Sequence, residues 1–211
     1  MSGGRIIDLL ILDYGGVYSF DYDLGSFSTI MQNTFGRVPD PKQRKKIDIV
    51  SRRLAAGRIS SDHYVRDVAR ILKTPPPSTE AFEKHTLAVT LNPSPTMIEL
   101  VALVKTSGIS VALLSNMYMF EVIETTPWGR YDGFDLVVFS AEVQLTKRDP
   151  EIFRLVLDHF DVCPTRTLFV DDVADHVQTA QRLGIHTVHA DKTEFSTANA
   201  LVDVIRHRLQ L

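Results

Sequence analysis

Four places in the sequence pair a reactive residue type with a setting that suits chemistry. Asp13 ends an apolar run and is followed by Tyr14-Gly15-Gly16. Ser115-Asn116 come after Val111 to Leu114, Lys147 lies in the polar stretch after Leu136 to Phe139, and Asp171-Asp172 come after Thr167 to Val170. The set comprises a lone carboxylate, a hydroxyl beside an amide, a lysine and an acidic pair. Together these supply a nucleophile, donors for an oxyanion or phosphate, a fixed positive charge and ligands for a hard cation. Phosphoryl transfer is the reaction class that uses all of them.

The segments before these residues share one grammar. Ile6 to Leu12 is short and apolar on both faces, as expected of a buried parallel strand. Val111–Leu114, Leu136–Phe139, Thr167–Val170 and Ile185–His189 repeat the pattern. Helical patterns lie between them: Thr96 to Ser107 stopped by Gly108, Pro150 to Phe160 with Ile152, Phe153, Val156, Leu157 and Phe160 at a 3.6 period, and about Val173 to Leu183 stopped by Gly184. Alternation of this kind predicts an α/β fold, a parallel sheet covered on both faces. Loops at the carboxyl ends of such strands converge on one crevice, so the four chemical positions are expected to meet although they are far apart in sequence.

Residues 20–95 break the alternation. They are helical in pattern, with Pro75-Pro76-Pro77 ending one helix and Asn92-Pro93-Ser94-Pro95 forming a rigid return. The expected organisation is a core of residues 1–19 and 96–211 carrying a small helical insertion over 20–95. Residues 37–58 hold eight basic side chains (Arg37, Lys42, Arg44, Lys45, Lys46, Arg52, Arg53, Arg58) against Asp40 and Asp48. The simplest reading is a solvated helix face; attraction of an anionic substrate or partner is the alternative.

Composition excludes several classes. The 211 residues are 44% hydrophobic and 23% charged, which suits a globular chain and not a disordered one. A formal net charge of −3 offers no general basic field, so neither nucleic acid nor an anionic membrane is expected as a partner. The single cysteine, Cys163, cannot form an internal disulfide and reads as an apolar filler in a reducing compartment. The longest apolar run, Ile6 to Leu12, contains Asp8 and is far short of the roughly 20 residues that span a bilayer. No signal-peptide pattern is present, and a cytoplasmic monomer or homodimer is expected.

The four positions, in order, resemble the motifs of the haloacid dehalogenase-like superfamily: Leu10-Ile11-Leu12-Asp13-Tyr14-Gly15-Gly16-Val17, Leu113-Leu114-Ser115-Asn116, Lys147-Arg148-Asp149-Pro150-Glu151-Ile152-Phe153, and Phe169-Val170-Asp171-Asp172. Gly57-Arg58-Ile59-Ser60 and Val177 to Ile185 are also similar to family stretches. The resemblance implies a Rossmann-like three-layer core with a small helical cap, and it is nearest to bacterial sugar-phosphate phosphatases of the glucose-1-phosphate type. It further implies a phosphatase that hydrolyses a small phosphorylated metabolite in two steps. Asp13 would attack phosphorus to form an aspartyl-phosphate, and water would then hydrolyse that intermediate. Mg²⁺ would be held by Asp13, the backbone carbonyl of Gly15 and Asp172, with Asp171 a ligand or bonded to a metal-bound water. Ser115 and Asn116 would bind the phosphate and orient its loop, and Lys147 would hold both Asp13 and the phosphate.

One departure stands out. Most phosphatases of this superfamily place a second aspartate two residues after the nucleophile to protonate the leaving group; this chain has Gly15 there. The similar sugar-phosphate phosphatases also carry glycine. A general acid/base contributes about 10²–10⁴-fold, so its lack favours good leaving groups. Asp21, Asp23, His176 or water are possible substitutes, with His176 otherwise read as a surface residue. Two other functions remain open: a 2-haloacid dehalogenase-type hydrolase, which Asp171-Asp172 argue against, and a non-catalytic binding or regulatory module. Read alone, Asp13 is a turn former, Asp171-Asp172 and Ser115-Asn116 are helix caps, and Lys147 is an ordinary loop lysine. Phe20, Tyr22, Met117 and Trp128 read as packing residues.

Overall fold

The computed structural model describes residues 6–20, 26–90 and 92–211; Asp21, Tyr22 and Asp23 lie outside them. The elements in order are β1 (Leu9–Leu12), α1 (Ser26–Phe35), α2 (Pro41–Ala55), α3 (Ser61–Leu72), α4 (Thr79–Leu87), α5 (Pro95–Thr106), β2 (Ser110–Ser115), α6 (Met119–Thr125), β3 (Leu136–Phe139), α7 (Ser140–Val143), α8 (Pro150–Phe160), β4 (Thr167–Asp171), α9 (Ala174–Arg182), β5 (His186–His189) and α10 (Ala198–Leu209). The five strands form one parallel sheet in the order β3-β2-β1-β4-β5. The chain winds outward from β1 to β3 and then returns to lay β4 on the other side of β1. This reversal creates a crevice at the carboxyl ends of β1 and β4, where open α/β sheets bind ligands.

Strand alternation divides the core into two layers. Leu10, Leu12, Val111, Leu113, Leu168 and Val170 face α5 and α10, whereas Leu9, Ile11, Ala112, Leu114 and Phe169 face α8 and α9. Both faces of the central strands are therefore buried, which explains their unbroken apolar sequence. Leu12 pairs with Leu113 on one side and Val170 on the other, so Asp13 emerges beside the last residues of β2 and β4.

Helices α1 to α4 pack around an apolar cluster of their own that includes Met31, Ile47, Leu54, Tyr64, Val68 and Phe82. Asp40 starts α2 with a capping box: its carboxylate accepts from the Lys42 and Gln43 N–H groups, and Gln43 accepts from the Asp40 N–H. On α2 Lys42, Lys45, Lys46 and Arg53 are exposed, while Arg44 lies over the Phe27 ring and Arg37 donates to the Leu72 carbonyl. The turn after α2 docks tightly on the core. Gly57 has φ +62°, and a Cβ there would sit 2.5 Å from the Ala141 carbonyl oxygen, so only glycine fits. Arg58 beside it donates to the Gln144 carbonyl at 2.9 Å.

Four readings change. Cys163 is exposed and not a core filler. It precedes the 3-10 turn Pro164–Arg166 rather than lying on a buried face. Strand β1 begins at Leu9 and not Ile6; Ile6 is exposed, and Asp8 turns outward to pair with Arg166. His176 is 7% exposed, a buried group with two polar partners and not a surface residue. Phe20 and Met117 pack in the core, whereas Trp128 is 62% exposed, with only the Arg130 guanidinium stacked on its ring, and is not a packing residue. Among the described residues no helix is long and apolar enough to cross a membrane.

Candidate active site

Asp13 directly follows β1. Its N–H donates to the Val170 carbonyl at 3.0 Å, extending the ladder with β4, and its carbonyl accepts from the Tyr18 N–H at 3.1 Å. The carboxylate is thus held at the strand end by its own backbone. Oδ1 accepts from the Tyr14 N–H at 2.6 Å and pairs with the Lys147 Nζ at 2.5 Å. The turn that follows places its left-handed residue at Gly16, with φ +75°, and not at Gly15. A Cβ on Gly16 would lie 2.4 Å from Oδ2 of Asp172, so this glycine allows the loop after β1 to approach the loop after β4.

Lys147 is 1% exposed and bridges two carboxylates, reaching Asp171 Oδ2 at 2.6 Å as well as Asp13. Burial works against its charge, but Asp13 and Asp171 outweigh that and hold its pKa above the ordinary lysine value. Asp171 is fully buried; burial pushes its pKa up, yet Lys147 and the His176 hydrogen bond prevail and it stays below the ordinary value. Its oxygens are well occupied. Oδ1 accepts from the Val173 N–H at 2.7 Å and from His176 Nδ1 at 3.1 Å, and Oδ2 takes Lys147.

Asp13 and Asp172 behave in the opposite way. Burial, only partly offset by Lys147, raises Asp13 to about 6. Burial, with Asp13 and Asp171 adding repulsion, raises Asp172 to about 7. Asp13, Asp171 and Asp172 each present a carboxylate oxygen within 4.8 Å of the others. Three acidic oxygens so close, two of them reluctant to ionise side by side, fit a hard divalent cation such as Mg²⁺. Since Lys147, His176 and Val173 engage Asp171, the less committed carboxylates are Asp13 and Asp172.

Ser115 is the last residue of β2 and is buried opposite Phe139 of β3. The Asn116 side chain is occupied on both ends: Oδ1 accepts from the Lys147 N–H at 3.1 Å, and Nδ2 meets His176 Nε2 at 3.3 Å. It thereby ties the loop after β2 to the lysine loop. Asp13, Ser115, Asn116, Lys147, Asp171 and Asp172 all lie at the carboxyl ends of the strands, as the sequence grammar predicts.

Two residues that the motifs do not mark take part in this framework. His176 is one. Ser140 is the other: buried, its Oγ donates to the Ala55 carbonyl at the end of α2 at 2.6 Å and accepts from the Met117 N–H at 3.1 Å. It joins the helical insertion to the loop that carries Ser115 and Asn116. No local signal marks Ser140, because its partners are distant in sequence.

Residues 25–190 match the family model described as haloacid dehalogenase-like hydrolase, which covers most of the chain. The chain belongs to the haloacid dehalogenase-like hydrolase family. Among curated relatives, acyl-CoA dehydrogenase family member 10 of Mus musculus is 30% identical over 200 residues, which is 92% of this chain but 19% of that protein. Phosphorylated carbohydrates phosphatase of Thermotoga maritima is 28% identical over 124 residues, 57% of this chain and 56% of that protein. The chain thus spans about a fifth of the mouse relative and little over half of the bacterial one. A haloacid dehalogenase family enzyme of Bacteroides thetaiotaomicron, solved with magnesium and inorganic phosphate, superposes with TM-score 0.64 at 19% identity over 86% of this chain and 93% of that one. That likeness establishes the shared fold.

Proposed function

We propose that this family member is a Mg²⁺-dependent phosphatase acting on a small phosphorylated metabolite, with sugar phosphates the first class to test. The observation that carries this reading is the Asp13–Lys147–Asp171 ion triad with Asp172 beside it at the switch point of the sheet. The names of the Thermotoga relative and the magnesium and phosphate in the Bacteroides structure lend support.

In this reading Asp13 and Asp172, with the Gly15 carbonyl, hold the cation and Asp171 orients the lysine. The cation supplies charge that offsets repulsion between carboxylate and phosphate. Asp13 attacks phosphorus; the oxygen not engaged by Tyr14 and Lys147 is Oδ2. A phosphorus–oxygen bond forms as the ester phosphorus–oxygen bond breaks, and the departing alkoxide takes up a proton. Water then attacks the aspartyl-phosphate at phosphorus, releasing phosphate and restoring Asp13. Near neutral pH Asp13, raised only to about 6, is mostly ionised and ready to attack. Lys147 keeps Oδ1 in place and balances charge on the phosphoryl group, while Ser115 and the loop Asn116 braces bind its oxygens. Gly15 offers no side chain, so the leaving-group proton comes from solvent.

The test is a panel of phosphate monoesters assayed for phosphate release with Mg²⁺ and with chelator, alongside chloroacetate assayed for chloride. The expected result is phosphate release that needs the metal, and no chloride. Metal-independent chloride release, or inertness toward every ester, overturns the reading.

A further inference from the structure

His176 sits in the first turn of α9, side chain inward, and touches two different motif loops. Its Nδ1 lies 3.1 Å from Asp171 Oδ1 and 3.2 Å from Oδ2, and its Nε2 lies 3.3 Å from Asn116 Nδ2. The direction of each bond follows from the neighbours. The Lys147 backbone N–H is a donor and points at one end of the Asn116 amide, which must be the oxygen. The other end is then an NH₂ donor, and it faces His176 Nε2. A protonated Nε2 would set donor against donor, so Nε2 carries no hydrogen and accepts. Nδ1 faces a carboxylate and carries the hydrogen.

We infer that His176 is a positioning residue of the hydrolytic site: accepting from Asn116 at Nε2 and donating to Asp171 from Nδ1, it links the two and so fixes the loops of Ser115, Lys147 and Asp171 relative to one another. The chain of bonds runs from the Lys147 N–H to Asn116 Oδ1, from Asn116 Nδ2 to His176 Nε2, and from His176 Nδ1 to Asp171, which in turn holds the Lys147 ammonium. The loop closes on itself, with Lys147 bound at both its backbone and its side chain. The inference rests on the proposed function only in treating Asp13 and Lys147 as the reacting pair.

The test uses the full chain and three substitutions. His176→Phe keeps a ring and removes both bonds. His176→Asn places its amide near Nδ1 and retains a donor to Asp171, whereas His176→Gln places it near Nε2 and retains an acceptor for Asn116. In the unsubstituted, metal-free protein, long-range proton–nitrogen NMR correlations should show Nδ1 protonated and Nε2 not. Calorimetric titration with Mg²⁺ should show a roughly 10–100-fold weaker Kd for His176→Phe, the usual cost of losing a group that orients metal ligands. The Asn and Gln variants should fall between. With an ester that the unsubstituted protein hydrolyses, kcat should fall and KM should hold, because His176 touches no substrate. An Nε2–H tautomer overturns the inference. So does a folded His176→Phe protein with unchanged Mg²⁺ affinity. The NMR and calorimetric readouts stand even if no phosphate ester proves to be a substrate, so failure of the function and failure of this inference are told apart.

Discussion

Replacing Lys147 with methionine keeps the length of the side chain and removes a charge that serves two buried carboxylates, at 2.5 Å and 2.6 Å. Removing one partner of a buried ion pair costs about 3–5 kcal/mol, because the remaining charge stays buried and unpaired. Here a proton can replace the ammonium. Asp13 has a pKa of about 6 with Lys147 beside it, and loss of Lys147 pushes it higher. A carboxylate whose folded pKa exceeds its unfolded one takes up a proton on folding, so its contribution to stability falls as pH rises between the two values. The unsubstituted protein sheds this proton near pH 6 and the variant only at higher pH. The deficit of Lys147→Met therefore widens between about pH 6 and about pH 8, by up to about 1.4 kcal/mol per pH unit. Urea unfolding of both metal-free proteins at about pH 5.5 and about pH 8 measures it, with an expected widening on the order of 2 kcal/mol. A deficit equal at the two values, or larger in acid, would refute the view that Lys147 neutralises Asp13.

Other outcomes follow from the same geometry. Raised pKa values of about 6 for Asp13 and about 7 for Asp172 make the metal-free protein less stable as pH rises from about 4 to about 7; thermal melts should show that decline, flatten in Asp172→Asn, and show the largest Mg²⁺ stabilisation at the alkaline end. A melt indifferent to Mg²⁺ would count against the cation site. Gly16→Ala should lose most activity and roughly 1–2 kcal/mol of stability from the left-handed backbone alone, with more from the clash with Asp172; wild-type turnover would show that the two loops need not approach so closely. Anomeric sugar phosphates should be hydrolysed faster than glycerol phosphate, and Gly15→Asp, which escapes the φ penalty of Gly16, should narrow the gap. Equal rates in the unsubstituted protein would mean that another group supplies the proton.

Much of this architecture was legible in the sequence because it rests on local signals. Leu136–Phe139 and Pro150–Phe160 carry the same bounds in sequence and structure, one a short apolar run between turns and the other a clean 3.6 period. Asp13, Ser115 and Asp171 were readable as strand ends for the same reason. His176 was not: its partner Asn116 is 60 residues away, and only the fold turns a polar residue of α9 inward. Ser140 was hidden likewise, with bonds spanning 23 and 85 residues. Nor did the sequence say which of two adjacent glycines takes the positive φ, because either satisfies the turn until Asp172 approaches Gly16.

The central claim is that Asp13 carries the phosphoryl group. Acid quenching during turnover of a phosphate ester, followed by peptide mass spectrometry, tests it most directly. The account predicts a phosphate on the Asp13 side chain in the unsubstituted protein, with neither the adduct nor phosphate release in a folded Asp13→Asn protein. Phosphate release by Asp13→Asn at an undiminished rate would contradict it.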